Sequence, residues 1–362
     1  MLPDLSCSCD PGWRSPDCGE LDLAPVANIS GCYEHQVVLS DCGKPEGCGT
    51  SSWGGLPLYS DQDGLYHLFA SQFVQNCTLK GWNPGSTVIR ATSPNALGPF
   101  VYEETIFGTF HHNPTVRKLT PRQSGKGKDM YLMVMIGDDA PPPPASGGDC
   151  VYDQASDPHH LEGYITQAWS TSLLGPWTKS KTQLFPPGLT TEWDSTVTNP
   201  APFFLDDGTA YVFYRGTQWP VSGEERIGLV KATRWDSAYA RVGDSPIWGP
   251  FDDESAFVED PFVWADARGV KMLSHGHWDE AGYYAFAEHV EGPWHFRKDP
   301  AYTNVLDMED GTRTTLVQRE RPQLLFDGKG KPVVLYTGVA PPGSDFYGFT
   351  YTHAQQVGGG SS

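Results

Sequence analysis

One phrase returns five times along this 362-residue chain and constrains its fold more than any other feature. In each copy a polar or charged residue, usually followed by proline, leads into an apolar strand, a Gly-containing turn and a second apolar strand. Successive copies lie 58, 86, 61 and 61 residues apart if the equivalent positions are Gly55, Asn113, Asn199, Asp260 and Arg321. Such a unit is a small antiparallel sheet that must stack on its neighbours to bury both faces, as the blades of a propeller do.

A turn of the form Gly-Pro-aromatic interleaves with these copies. It occurs four times, beginning at Gly98, Gly175, Gly249 and Gly292. Gly and Pro interrupt a strand, and the aromatic residue after them can pack between blades, so the turn marks the outer part of each unit. Together the two series indicate about four strands per unit. The sequence therefore predicts an all-β fold, a five-bladed β-propeller over residues 23–357.

With these motifs the chain resembles the five-bladed β-propeller glycoside hydrolases, the superfamily of arabinofuranosidases, xylosidases and fructosidases that includes family 43. The resemblance covers roughly residues 50–350 and depends on the Asp-Pro and Asn-Pro strand starts together with SLLGPWTKS from Ser172. It implies an exo-acting glycoside hydrolase that cleaves a cell-wall or extracellular polysaccharide or oligosaccharide. Trp53-Gly54-Gly55 and His112-Asn113 stand where the family often has acidic residues, so the chain resembles a divergent branch.

The net charge of −19 limits the partners of the chain. It repels the phosphates of nucleic acids and the surface of anionic membranes. No apolar run approaches the roughly 20 residues that cross a bilayer. We therefore expect a glycan as partner, no nucleic acid, no membrane insertion and a monomer.

Eight cysteines fall within the first 150 residues. The run CSCDPGWRSPDC, with Cys7, Cys9 and Cys18, resembles the C-terminal half of an EGF-like module, and this resemblance pairs Cys9 with Cys18. Zinc is the competing interpretation, but CxxC pairs and the histidine spacing of zinc sites are absent. We interpret residues 1–22 as a partial EGF-like, disulfide-containing segment and residues 358–362 as a linker or tag remnant.

Two triplets, starting at Asn28 and Asn76, fit the N-glycosylation pattern. Together with the cysteines they predict a secreted, extracellular or secretory-lumen glycoprotein. The proline-rich segment from Gly137 is predicted to be a surface insertion or, alternatively, one wall of the binding cleft.

Glycosidic cleavage requires two carboxyl groups, one that donates a proton and one that acts as base or nucleophile. Inner strands of a propeller converge on its axis where they begin, and the acidic candidates near those positions are Asp260, Glu320, Glu259 and Asp194. Asp260 is the first choice, although an aspartate before proline also caps turns.

Neighbours on one strand face opposite ways, so Glu259 and Asp260 are not both expected to face the ligand. Glu320 is the preferred second carboxylate. Because it stands between Arg319 and Arg321, we expect a lowered pKa, which suits a base better than an acid. Asp194 and Glu259 remain candidates for the acid.

Other residues at the same depth can orient a sugar. A planar guanidinium at Arg321 suits a carboxylate or sulfate on the sugar, or else a salt bridge to Glu320 or Asp260. One of the two tryptophans Trp53 and Trp193 is expected to stack on a sugar face. By resemblance, a histidine near the axis, His275 or His277, holds a metal or water, with a structural calcium as the possible ion and no organic cofactor. The predicted substrate-binding residues are Trp53, His112, Asn113, Trp193, Asn199, His275 and Arg321, and the predicted metal ligand is His277.

Two alternative functions stay open at this stage. A carbohydrate-binding propeller without catalysis would explain the missing acids in the first two repeats, and a transglycosylase or phosphorolytic relative would use the same site with another acceptor. The sequence leaves the sugar, the linkage, the stereochemical outcome and a metal requirement open.

Overall fold

A computed structural model of the chain describes residues 8–28, 50–74, 77–137, 164–189, 191–218, 223–248, 257–276 and 280–358. Several features named above lie outside these ranges: Cys7, the last two residues of the first glycosylation triplet, Asn76 of the second, the proline-rich segment, the turn that starts at Gly249, His277, and the linker beyond Gly358. No described helix has the length and apolar character that crossing a membrane requires.

The chain begins with a hairpin of β1 (Trp13–Arg14) and β2 (Glu20–Leu21) and continues into five antiparallel sheets. Blade 1 consists of β3 (Ser52–Ser60), β4 (Leu65–Phe73), β5 (Ser86–Ser93) and β6 (Val101–Phe107). Blade 2 consists of β7 (His111–Leu119), β8 (Met130–Gly137), β9 (Ile165–Ser170) and β10 (Thr178–Lys179), with a helical turn α1 (Pro121–Ser124) between its first two strands. Blade 3 consists of β11 (Thr196–Phe204), β12 (Ala210–Thr217), β13 (Glu225–Ala232) and β14 (Ala240–Arg241).

Blade 4 consists of β15 (Val258–Asp266), β16 (Gly269–Gly276), β17 (Ala281–Ala287) and β18 (His295–Phe296). A short pair follows, β19 (Val305–Asp307) and β20 (Arg313–Thr315). Blade 5 has three strands, β21 (Gln318–Phe326), β22 (Pro332–Ala340) and β23 (Tyr351–Gln356). The structure thus confirms the predicted all-β, five-bladed propeller.

Every inner strand contains the same irregularity near its start. The register with the second strand jumps so that two residues lie opposite one, which is a β-bulge. The first bulged residue has positive φ in all five blades, namely Gly54, Asn113, Asn199, Asp260 and Arg321. In blades 2 to 5 the second is proline, which has no N–H to contribute to the ladder. The sequence repeat aligns Gly55 with this series, whereas the strand register places Gly54 there.

The blades pack through apolar faces and through the aromatic residues of the Gly-Pro turns. Trp177 of blade 2 meets Phe69 of blade 1 edge-on, with ring centroids 5.5 Å apart. Trp294 of blade 4 meets Phe213 of blade 3 in the same way at 5.7 Å. These contacts confirm that the aromatic residue after Gly-Pro packs between blades.

The N-terminal segment closes the ring. Leu23 pairs with Val357, and the Ala24 N–H donates to the Gln356 carbonyl, so the segment lies along the outer edge of the three-stranded blade 5. Trp13 of the hairpin stacks on Trp264 of blade 4 at 6.3 Å. The hairpin is therefore packed on the propeller.

The predicted disulfide joins Cys9 and Cys18, with their Cα atoms 5.1 Å apart. Its likeness to an EGF-like module stays a prediction.

Candidate active site

Two rings of side chains surround the propeller axis where the inner strands begin. The bulge ring consists of Gly54, Asn113, Asn199, Asp260 and Arg321. The outer ring lies one residue earlier in each strand and consists of Trp53, His112, Thr198, Glu259 and Glu320. Contacts between blades show that the rings converge. Arg321 of blade 5, for example, donates to the Pro114 carbonyl of blade 2 at 3.3 Å.

Four residues from blades 4 and 5 form a buried acidic cluster: Glu259, Asp260, His275 and Glu320. Their donor atoms all lie within 4.8 Å of one another. His275 Nδ1 is 3.7 Å from a Glu259 oxygen, and its Nε2 is 3.8 Å from a Glu320 oxygen. The expectation that Glu259 and Asp260 would not face the same site is wrong, because the bulge interrupts the alternation of a regular strand.

Glu259 is held by cationic and amide donors from blade 3. Arg215 Nη1 donates to its Oε2 at 2.9 Å, and Asn199 Nδ2 donates to the same oxygen at 3.2 Å. Arg215 Nη1 also donates to Glu225 at 2.7 Å. These bonds favour the ionised form of the Glu259 carboxylate.

Arg215 and Glu225 were missed by the sequence reasoning. They lie near the end of β12 and at the start of β13, rather than at the start of an inner strand. The sequence signal is weak: Arg215 is a charged residue in the otherwise apolar β12, which does not indicate which blade its side chain contacts.

Asp260 lies deeper than the two glutamates, with a side chain 2% exposed. Its Oδ1 accepts hydrogen bonds from Asn199 at 2.6 Å and from Arg321 at 2.9 Å. Burial raises the pKa of Asp260 to about 6, the Arg321 charge opposes this rise, and the Glu259 charge adds to it. The predicted salt bridge between Arg321 and Asp260 is thus present.

Arg321 has both terminal nitrogens engaged within the protein. Besides its bond to Asp260, it donates to the Pro114 carbonyl and to Thr115 Oγ1, the latter at 3.2 Å. Its side chain is 4% exposed. This geometry supports a role in fixing Asp260 more than one in binding an anionic sugar.

Glu320 lies among other carboxyl groups, whereas Glu259 accepts hydrogen bonds from Arg215 and Asn199. Burial raises its pKa well above the usual value, and the charges of Glu259, Glu280 and Asp260 raise it further. Its one described hydrogen bond is from Gln318 Nε2, at 2.8 Å.

The expected lowering of the Glu320 pKa by its neighbours is wrong. Arg319 extends away and donates to the Thr303 carbonyl and to Gln355, while Arg321 is directed to Asp260.

His112 and Asn113 lie in blade 2. His112 Nδ1 is 2.8 Å from Ser86 Oγ, and its ring packs against Trp82 at 5.3 Å. Burial lowers the pKa of His112 well below its usual value, with a further contribution from the Arg321 charge, so the imidazole is neutral near pH 7. The Asn113 N–H donates to Ser71 Oγ, whereas its buried Oδ1 has no hydrogen-bond partner among the described residues.

Asp194 and the two predicted tryptophans contact other residues of the fold rather than the acidic cluster. Asp194 accepts hydrogen bonds from Tyr214 at 2.7 Å and Arg241 at 2.8 Å, and it is not part of the acidic cluster. Trp193 stacks on Tyr214 with ring centroids 6.0 Å apart. Trp53 is 2% exposed within a core cluster, which leaves little surface for a sugar.

The three carboxyl groups of the acidic cluster can attract a metal ion, but the four ligands of the cluster match the preference of calcium only in part. Calcium takes six to eight oxygen ligands, whereas His275 supplies nitrogen. Two of the three carboxylates already accept hydrogen bonds from Arg215 and Arg321. A calcium site stays a prediction.

No family profile and no curated protein matches this sequence. Solved structures do resemble it. A thermostable family-43 glycoside hydrolase matches with 17% identity and a TM-score of 0.58 over 92% of each chain. The catalytic domain of a family-62 α-L-arabinofuranosidase from Coprinopsis cinerea matches with 11% identity and a TM-score of 0.61 over 93% of this chain and 97% of that one.

A family-43 β-xylosidase/α-arabinofuranosidase from a compost microbial metagenome, in complex with xylotriose and in a calcium-free form, has 11% identity and a TM-score of 0.57. That match covers 92% of this chain and 95% of the other. At these identities the likeness shows the fold. The chain has the five-bladed β-propeller architecture of these glycoside hydrolases.

Proposed function

We propose that this protein is a glycoside hydrolase whose active site is the acidic cluster, with Glu320 as proton donor and Glu259 as base or nucleophile. One observation carries the proposal: two carboxyl groups meet at the axial end of the propeller in opposite environments. Glu259 accepts from Arg215 and Asn199, whereas Glu320 is surrounded by other carboxyl groups. Environments that separate the pKa values of two carboxyl groups are how glycosidases distinguish acid from base.

Each side chain has one step in the proposed reaction. Glu320, whose raised pKa favours the protonated form, gives its proton to the glycosidic oxygen as that bond breaks. Glu259, ionised, either takes a proton from the water that attacks the anomeric carbon, or attacks that carbon itself. In the second case water, deprotonated by Glu320, then breaks the bond between Glu259 and the sugar. The negative charge of Asp260 helps to keep Glu320 protonated. We therefore propose a positioning role for Asp260, although the sequence made it the first choice for a catalytic carboxylate.

His275 separates the two glutamates. It is fully buried and lies within 4 Å of an oxygen of each. This placement supports a role in positioning both carboxyl groups, together with the Ser274 hydroxyl, which donates to the Glu259 carbonyl.

The proposed substrate is an oligosaccharide or polysaccharide cleaved from its end. One structural neighbour is described in complex with xylotriose, which supports a glycan ligand. The Cys9–Cys18 disulfide supports an oxidising, extracellular or secretory-pathway location. A monomer remains our expectation.

The test is hydrolysis of a panel of plant and algal polysaccharides and aryl glycosides, with released sugars detected by mass spectrometry. The wild type is compared with Glu320→Gln and with the control Glu309→Gln, which changes an exposed glutamate in the turn between β19 and β20, outside both rings. We expect product from wild type and control, and a loss of about 10³-fold in kcat for Glu320→Gln. Equal rates for all three proteins would refute the assignment of Glu320.

A carbohydrate-binding propeller without catalysis is the second candidate. Blades 1 to 3 have no carboxyl group in either ring, where they carry Trp53-Gly54, His112-Asn113 and Thr198-Asn199. Binding of a glycan by the wild type without product from any member of the panel would favour this function over hydrolysis.

A further inference from the structure

Tyr347 is an exposed aromatic side chain at the same end of the propeller as the acidic cluster. It lies in the connection from β22 to β23. Strand β22 pairs Gly338 with Glu320 and ends at Ala340, so this connection begins beside the Glu320 end of blade 5. Tyr347 is 49% exposed.

The backbone at Tyr347 is fixed to blade 1. Its carbonyl accepts a hydrogen bond from the Lys80 N–H at 3.0 Å and another from Thr78 Oγ1 at 2.9 Å. The next carbonyl, of Gly348, accepts from the Leu79 N–H at 3.2 Å. Phe346 packs against the Tyr347 ring edge-on with centroids 5.0 Å apart. The backbone that carries the ring is therefore fixed to blade 1, and one edge of the ring is packed.

The electrostatics agree with this location. Burial raises the pKa of the Tyr347 phenol, and the charges of Glu259, Glu320 and Glu225 raise it further. These contributions agree with the strand register, which places the β22–β23 connection at the end of the propeller where Glu320 lies.

We infer that Tyr347 is a sugar-stacking platform beside the acidic cluster, which binds the C–H face of a pyranose or furanose ring of the substrate. This inference rests on the proposed function. An aromatic ring offers a large contact area at a low cost in conformational entropy, and pre-ordering by the backbone bonds lowers that cost further. Trp53 and Trp193, which the sequence favoured for this role, have their faces packed against other residues.

The matched control for Tyr347 is Tyr59. It is 51% exposed, belongs to blade 1, and lies near the far end of β3 from Trp53. Replacing either tyrosine removes a similar exposed ring, and only one of them lies near the cluster.

The experiment measures oligosaccharide affinity by calorimetry in the Glu320→Gln background, together with kcat and KM in the otherwise wild-type protein, using the glycan that the hydrolysis panel identifies. We expect Tyr347→Ala to weaken binding and raise KM by about 10-fold with little change in kcat, because about 1.4 kcal/mol of stacking corresponds to a factor of ten. Tyr347→Phe retains the ring and is expected to bind like the parent, as is Tyr59→Ala.

The outcomes separate this inference from the proposed function. If the parent protein binds or cleaves a glycan and Tyr347→Ala is unchanged, the platform is refuted while hydrolysis stands. A loss in Tyr347→Phe equal to that in Tyr347→Ala would also contradict stacking, because it would assign the effect to the hydroxyl. If no member of the panel is bound or cleaved by the parent, the proposed function itself fails.

Discussion

Glu320 and Asp260 are buried carboxyl groups whose raised pKa values connect function with stability at the scale of single residues. A carboxyl group with a raised pKa in the folded state keeps its proton where the unfolded chain has lost it. Folding is therefore less favourable as pH rises above the unfolded pKa of a glutamate, which is about 4.3. A site that needs a neutral carboxylic acid at pH 7 therefore lowers the stability of the fold at that pH.

Glu320→Gln should consequently stabilise the fold at neutral pH. The amide keeps an oxygen for the bond from Gln318 and removes the ionisable group. The gain in Tm over wild type is expected to be near zero at pH 4 and to increase to about 2 °C or more by pH 8. Calorimetric scans at the two pH values measure it. A gain that does not change with pH would show that the Glu320 pKa is not raised.

The Asp260–Arg321 pair should behave as a buried ion pair in which each partner satisfies the other. Arg321→Met leaves Asp260 buried without its cation, and we expect a loss of about 3–5 kcal/mol of unfolding free energy at pH 7. Adding Asp260→Asn should recover part of this loss, since the amide carries no charge. Urea denaturation of both single variants and the double variant measures the coupling. Additive losses would contradict a direct pair.

Among the structural elements, the bulge at the start of each inner strand is the feature that positions the residues of the site. In blade 4 the bulge begins at Asp260, whose positive φ interrupts the alternation of the strand, so that Asp260 and the preceding Glu259 reach the same cluster. Its first position has positive φ in all five blades, so blade 1 has glycine and the other blades have Asn, Asp or Arg there. Asn199 and Arg321 in this series both donate hydrogen bonds to Asp260.

Gly54→Ala tests the bulge in blade 1. The φ of Gly54 is +58°, and a Cβ there would lie 2.4 Å from Arg321 Cδ, on a side chain held at both terminal nitrogens. We expect a loss of about 1–3 kcal/mol of unfolding free energy from the left-handed backbone and the clash. Gly108→Ala is the control, because nothing lies within 4 Å of its Cβ. Equal Tm values for the two variants would contradict this prediction.

In the whole molecule, the ring of blades is closed by pairing of the segment around Leu23 with Val357, beside blade 5. The segment around Leu23 runs along the outer edge of blade 5, and Leu21 is 1% exposed in the core that blades 1, 4 and 5 share. Without it, the edge of a three-stranded blade is exposed.

Removal of residues 1–24 should therefore lower Tm by about 5 °C or more, since it exposes apolar surface at the closing blade. Arg14→Ala, which changes an exposed side chain of the same segment and keeps its backbone, is the control and should leave Tm nearly unchanged. Thermal scans followed by tryptophan fluorescence measure both. An unchanged Tm after the deletion would show that blade 5 is stable without the segment.

Much of this architecture could be predicted from the sequence, because each blade repeats the same strand starts and Gly-Pro turns. The acidic residues Glu259, Asp260 and Glu320 could be found in the same way, since they stand at repeated positions. Arg215 and Glu225 could not, because nothing in an apolar strand such as AYVFYRGT indicates which blade its charged end will face. The pKa of Glu320 also depends on where the side chains of Arg319 and Arg321 point, which adjacency in sequence does not determine.

The central claim is that a glycosidic bond is cleaved between Glu320 and Glu259 at the axial end of the propeller. A crystal structure of Glu320→Gln with a bound oligosaccharide from the hydrolysis panel tests it most directly. We predict a glycosidic oxygen within about 3.2 Å of the side chain at position 320, with Glu259 close to the adjacent anomeric carbon. An oligosaccharide bound away from the acidic cluster, with both glutamates out of reach of any glycosidic bond, would contradict it.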